Sequence, residues 1–157
     1  MEERFDVLPG QTWTAGRQKL HIGDARDPRA YELLLGTERA VALWTDPPYG
    51  VDYQGKTAAR MRIQGDGTLQ APLLAMAAFQ AANDYLQPGA AIFVCTPCGP
   101  LQLRFGEAIE DAGWTIRQQL VWAKNHFALG RQDFHYKHET LWYGRKPGPG
   151  RWGRGSQ

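Results

Sequence analysis

The run Ala40-Val41-Ala42-Leu43-Trp44, followed at once by Thr45-Asp46-Pro47-Pro48-Tyr49-Gly50, constrains this chain more than any other stretch. Apolar residues bounded by turn formers read as a short buried strand. Each proline lacks an N–H, fixes its own φ and pushes the residue before it out of the helical region. The segment past the strand is therefore extended and cannot close its own backbone hydrogen bonds. It carries the acceptor-only carboxylate of Asp46, a Pro47 carbonyl with no helical partner, and the flat ring of Tyr49. In an open α/β sheet, ligands bind outside the carboxyl ends of the strands, where this loop would lie.

Two acceptors beside a stacking ring suit one task, the gripping of an exocyclic amino group on a planar heterocycle. Such an amine is a poor nucleophile because its lone pair is delocalised into the ring. With one N–H given to Asp46 and one to the Pro47 carbonyl, the nitrogen can pyramidalise and aim its lone pair at an electrophile. Stacking of the base on Tyr49 would contribute roughly 1–3 kcal/mol. The plain alternative is a proline-stiffened turn after a strand.

A chain of 157 residues, 43% hydrophobic and 22% charged, fits one globular domain with a sizeable core. No apolar stretch approaches the length of a membrane span, and Met1-Glu2-Glu3-Arg4 does not open a signal peptide, so a cytosolic protein is expected. The net charge of +2 implies no partner by itself. Its distribution divides the chain into a body, residues 1–146, and a basic Gly/Pro-rich tail, residues 147–157. Arg145, Lys146, Arg151 and Arg154 crowd that end with no acid among them, which suits phosphates or a solvated terminus. Cys95 and Cys98, the only cysteines, cannot complete four zinc ligands and read as small residues at a strand end.

Taken in order, Thr12-Trp13-Thr14 and Gln18-Lys19-Leu20-His21-Ile22 flank Ala15-Gly16-Arg17 as a short hairpin. Asp27-Pro28 reads as an N-cap with proline in the first turn, and the helix from about Pro28 to Leu35 closes on Gly36. The central strand and the Asp46 loop follow. From Val51 to Gly67 nothing is periodic, and Lys56, Arg60 and Arg62 make it a basic loop beside the first. Helical spacing at Leu73, Leu74, Ala77, Ala78, Ala81 and Tyr85 stops at Pro88-Gly89, before a buried strand Ala90-Ala91-Ile92-Phe93-Val94. Leu101, Phe105, Ala108, Ile109 and Ala112 give a second amphipathic helix, ended by Gly113. Trp114 to Lys124 and Glu139 to Gly144 are the last strands, antiparallel because their connection is too short for a crossover helix. The expectation is a layered α/β fold, a mostly parallel sheet with an antiparallel edge hairpin.

Asp46-Pro47-Pro48-Tyr49 after an apolar strand resembles the catalytic motif of the DNA amino-methyltransferases, which methylate adenine N6 or cytosine N4 with S-adenosylmethionine. The resemblance extends over nearly the whole chain. It takes in Leu20-His21-Ile22-Gly23-Asp24, Leu86-Gln87-Pro88-Gly89 and Val121-Trp122-Ala123-Lys124-Asn125, then Leu129-Gly130-Arg131, His135-Tyr136-Lys137-His138-Glu139 and Tyr143-Gly144. It is similar to a phage and bacterial branch of the permuted (beta) class, whose catalytic motif precedes the cofactor motif.

The resemblance implies a partial Rossmann-like methyltransferase fold, double-stranded DNA as partner, and Asp46, Pro47, Pro48 and Tyr49 as catalytic residues. It puts Asp24, after a strand expected to neighbour the catalytic one, near the cofactor adenine, where an acidic cap for the helix beginning near Asp27 is the competing reading. It turns Lys56, Arg60, Arg62, Lys124, Arg131, His135 and His138 toward DNA, with His138 and Glu139 fixing the loop. His135-x-x-His138-Glu139 is not expected to bind metal, since strand positions three apart point to opposite faces. Asp in the first motif position tilts the target toward adenine N6.

The chain departs from the family in one respect. It has no Asp-Pro-Phe-x-Gly-x-Gly-like cofactor segment: Gly65-Asp66-Gly67 follows no strand, and Gly148-Pro149-Gly150 has proline where a helix would start. The expectation is a catalytic half, completed by a missing C-terminal half or a second chain, with a sheet edge and an apolar face left open. The alternative is a non-catalytic DNA-binding or interaction remnant of the same fold.

Overall fold

The computed structural model describes residues 6–50, 67–126 and 133–149. Strands β1 (Thr12–Ala15) and β2 (Gln18–His21) pair antiparallel around Gly16 and form a two-stranded sheet of their own. Helix α1 (Pro28–Leu35) starts where the Asp27 carboxylate accepts the Arg29 N–H at 3.0 Å, and closes with the Gly36 N–H on the Glu32 carbonyl. Strand β3 (Ala40–Thr45) then enters the main sheet. It is followed by α2 (Gln70–Asn83), β4 (Leu86–Thr96), α3 (Leu101–Asp111), β5 (Thr115–Ala123) and β6 (His138–Arg145).

The order in the main sheet is β3-β4-β6-β5. Strands β3 and β4 are parallel, and β6 runs antiparallel to both β4 and β5. The α/β class and the antiparallel edge hairpin are as the sequence leads one to expect. Parallel pairing is confined, among the described strands, to β3 and β4.

Alternate residues of β4 build the core on one face. Ile92 and Val94 are fully buried in a cluster with Phe79 of α2, Phe105 and Ile109 of α3, and Trp114. The Trp114 indole N–H donates to Asn83 Oδ1 at 2.9 Å, and the Lys146 ammonium donates to the Asn83 and Leu86 carbonyls. The Lys146–Asn83 bond satisfies a carbonyl that the end of α2 leaves open. On the opposite face, Trp44, Phe93 and Tyr143 stand in register on three adjacent strands and stack at 5.3 and 5.2 Å.

Three sequence expectations change. Strand β3 is not central or buried: it is an edge strand among those described, with Val41 57% and Trp44 62% exposed. Periodicity shows that a strand is apolar but not whether a neighbour covers it. Strand β2 does not border β3, because the hairpin pairs only with itself. Pro88-Gly89 does not stop α2, which ends at Asn83, but lies inside β4. The β3–β4 register jumps from Ala40 opposite Leu86 to Ala42 opposite Ala91, so the pair forms a bulge, with Gly89 at φ 78°.

Two glycines test the packing in opposite directions. A methyl at Gly106, inside α3, would meet Ile116 and the Trp142 indole at 3.6 and 3.7 Å, which is ordinary contact. Gly106→Ala should therefore stabilise the protein by about 0.5–1 kcal/mol in urea unfolding, the usual helix-interior gain. A methyl at Gly144 would sit 2.8 Å from the Thr115 carbonyl oxygen, backbone that cannot swing away. Gly144→Ala should cost about 1–3 kcal/mol in the same measurement.

Candidate active site at the carboxyl end of the sheet

Parallel pairing lays the carboxyl ends of β3 and β4 side by side, Thr45 opposite Val94. Strand β6 begins at that end, Thr140 opposite Thr96, and β5 finishes there, Ala123 opposite His138. One end of the sheet thus collects residues 46–50, 95–98, Lys124 and residues 138–140. Buried Thr96 and Thr140 pin this end: their hydroxyls lie 3.2 Å apart, and each reaches the other's carbonyl, at 3.3 and 3.2 Å.

The loop after β3 is held from behind. The Thr68 hydroxyl donates to the Gly50 carbonyl at 3.0 Å. Gly50 is buried at φ 77°, and a methyl there would come within 3.0 Å of Leu101 and 3.1 Å of the Thr68 backbone. Only glycine meets both demands. The loop is thereby fixed with the Asp46 side chain exposed and Pro47, Pro48 and Tyr49 half-buried.

Asp46 and Tyr49 act on each other. Burial, and then a hydrogen bond donated by the Tyr49 hydroxyl to the Asp46 carboxylate, push the phenol far above its usual range. Buried Cys95 feels the same surroundings: loss of solvent and the carboxylates of Asp46 and Glu139 raise its thiol, while the Trp44 indole N–H pulls it down. Burial also raises Cys98, whose thiol donates to the His138 carbonyl at 3.4 Å. Asp46, Tyr49, Cys95 and Glu139 therefore share one electrostatic environment. Glu139 in turn is paired with the Lys124 ammonium, both side chains about one-third exposed.

The sequence-predicted residues divide as follows. Asp46, Pro47, Pro48 and Tyr49 come together. Lys124 lies at the same end, with its charge engaged by Glu139. His138 is half-buried and meets Tyr136 edge-on at 5.5 Å, whereas His135 is exposed. Lys56, Arg60, Arg62 and Arg131 lie outside the described residues. Among those described, no three His, Cys, Asp or Glu side chains converge as a metal site.

Asp24 is placed differently from the expectation, since the strand before it does not neighbour β3. Its carboxylate is gripped by Arg26, through the guanidinium at 2.5–3.1 Å and the backbone N–H at 2.9 Å. Nor does it cap α1, a role taken by Asp27. The Lys124–Glu139 pair, spanning the β5–β6 hairpin, was not readable as a pair from sequence, because it depends on the hairpin register.

No family model matches the chain, and no curated protein does. Solved structures do. TTHA0409 of Thermus thermophilus, described provisionally as a DNA modification methylase, superposes with a TM-score of 0.56 at 17% identity, over 85% of this chain and 56% of its own. Its complex with S-adenosyl-L-methionine gives a TM-score of 0.54 at 16% identity, over 85% and 55% of the two chains. M1.HpyAVI gives 0.51 at 13% identity, over 79% and 53%. The chain shares the fold of these proteins and spans about half the length of each. Among the described residues, no helix is long and apolar enough to cross a membrane.

The Arg26 side chain, then its backbone N–H, hold the Asp24 carboxyl down from 3.8 to about 2. A carboxyl lowered by folding contributes stability that is present above its unfolded pKa and is lost as pH falls through the folded one. Arg26→Ala should move the Asp24 midpoint from about 2 back toward 3.8 in a carboxyl-carbon NMR titration, and remove that share of the acid dependence.

Proposed function

We propose that this chain is the catalytic region of a DNA amino-methyltransferase of the permuted class, acting with S-adenosylmethionine on adenine N6. The observation that carries the reading is the exposed Asp46 carboxylate held by Tyr49 at the carboxyl end of β3, on a fold shared with a structure solved with S-adenosyl-L-methionine. Catalysis is then positioning and electrostatics, with no covalent enzyme intermediate. The target base, flipped from the duplex at a cost of a few kcal/mol, lies on the face of Tyr49. Its amine gives one N–H to Asp46, replacing or sharing the Tyr49 hydroxyl, and the other to the Pro47 carbonyl. S-adenosylmethionine supplies an electrophilic sulfonium methyl when bound. Lys124 balances Glu139, so the second carboxylate beside Tyr49 adds little repulsion toward DNA. Lys56, Arg60, Arg62, Arg131, His135 and His138 are assigned to the DNA side, where cations neutralise phosphates.

The described residues suit the amine side better than the cofactor side. Asp24 is the one cofactor contact assigned to this chain, and Arg26 already occupies its carboxylate. The glycine-rich turn whose N–H groups would hold the cofactor is therefore assigned to a further half of the protein or to a second chain. The open edge of β3 and the Trp44–Phe93–Tyr143 face are where it would pack. A second reading, a DNA-binding or interaction module of this fold without cofactor binding, is favoured by that same Asp24–Arg26 pair.

In protein supplied with the cofactor half, Asp46→Ala should lower methyl transfer by more than about a hundredfold with DNA affinity nearly unchanged. Tyr49→Phe, which keeps the ring and loses the bond to Asp46, should cost a few-fold and Tyr49→Ala far more. Equal rates for the two would remove the stacking role.

The 157-residue chain by itself should bind S-adenosylmethionine weakly at most in calorimetry and transfer no methyl group to DNA. Transfer restored by a separately supplied cofactor half supports the catalytic reading. DNA binding that persists without any transfer, even with that half present, supports the second.

A further inference from the structure

Where β5 begins and β6 ends, at the opposite end of the sheet from Asp46, lies a hollow of about 160 Å³. Thr115, Arg117, Arg145, Lys146, Pro147 and Gly148 line it, so three cations and a hydroxyl meet with no carboxylate among them. The two stretches that supply these residues, 112–124 and 140–157, contain no acidic residue, and the second adds Arg151 and Arg154. Along β6 the hollow is seven residues from His138, or roughly 23 Å at the rise of an extended strand.

The backbone aims and fixes these groups. Thr115 stands directly opposite Arg145. The register then passes from Ile116 opposite Gly144 to Gln118 opposite Tyr143, so Arg117 sits in a bulge with no partner residue in β6. Bulges at sheet edges commonly re-aim a side chain in this way. Lys146 is held on β4 through both its backbone groups, its N–H on the Ala90 carbonyl at 3.0 Å and its carbonyl under the Gly89 N–H at 3.1 Å. A methyl at Gly148 would strike Pro88, so the turn after β6 is seated on β4 as well. The Arg145 guanidinium donates to the Gly89 carbonyl at 3.0 Å, and the Lys146 ammonium to the Asn83 and Leu86 carbonyls at 2.6 and 3.0 Å. These acceptors are neutral, so the bonds position the two cations without cancelling their charge. Exposed Arg117 joins no ion pair among the described residues.

Cations gathered away from carboxylates raise the local potential and draw in an anion. Size and donor chemistry select which one. Pockets for drug-sized molecules measure about 300–1,000 Å³, so this hollow takes a small group. Two guanidinium forks, an ammonium and a hydroxyl suit the several oxygens and the charge of a phosphate better than a carboxylate, which has two oxygens and a single charge. We propose that Thr115, Arg117, Arg145 and Lys146 form a phosphate-binding site, for the phosphate of a small compound or one phosphodiester of a nucleic acid. The site is separate from the Asp46 loop, so the proposal does not depend on the methyltransferase reading.

Amide NMR of the whole chain locates the site, with sodium phosphate and a short DNA duplex as separate probes and sodium chloride of equal ionic strength as control. One or both probes should shift the amides of Thr115, Arg117, Lys146 and Gly148 well beyond chloride. Arg117→Gln should weaken that response about tenfold, the loss of one charge-assisted bond, with an unchanged thermal transition. Shifts of these amides by the duplex identify a nucleic-acid source, and shifts by phosphate alone a small phosphorylated compound. If neither probe moves them beyond chloride, the proposal is overturned. A response that stays at full strength in folded Arg117→Gln overturns it as well.

Discussion

Because β3 and β4 run parallel, the chain must leave the end of β3, travel back along the sheet and re-enter at the start of β4. Helix α2 is the return path, and its packing under β4 sets where the loop after β3 can go. The Gly50 carbonyl is bonded by Thr68, just ahead of α2, and Gly50 itself rests against Leu101 of α3. The direction of one strand pair thus places Asp46 beside Cys95. The reversal of β6 then brings Glu139 to the same end.

That end of the sheet holds two carboxylates under different restraint. Glu139 is neutralised by Lys124, a partner of opposite charge, whereas the partner of Asp46 among the described residues is the hydroxyl of Tyr49. A hydroxyl can yield its place to another donor without leaving a charge uncompensated, but an ammonium cannot. Of the two acids, Asp46 is therefore the one free to exchange partners. The buried Thr96–Thr140 pair beneath them is saturated by its own hydroxyls and carbonyls and has no such freedom.

What the sequence disclosed follows from how local each signal is. The Asp46 loop, the Asp27 cap and the β5–β6 hairpin were readable because prolines, capping oxygens and short connections act over a few residues. The boundary between α2 and β4 was misread because Pro-Gly can end a helix or bulge a strand, and only the partner strand decides. The exposure of β3 was hidden because an apolar pattern does not name the neighbour that covers it. The fate of Asp24 was local, a carboxylate two residues before Arg26, and the spacing itself was the available signal. The Lys124–Glu139 pair needed a register no single strand contains.

Strand β6 lies between β4 and β5, although it follows both in the chain. During synthesis β4 can pair with β3 and pack on α2 as soon as it emerges, since both precede it, yet its other edge stays open until β6 leaves the ribosome. Strand β5 must wait beside it, and most of its residues are exposed even in the finished protein. The nascent chain therefore passes through a stage with unpaired strand edges, the condition in which growing chains are prone to mispair. Strand β6 fills the gap between β4 and β5, and it carries Glu139 and Thr140 into place as it does so.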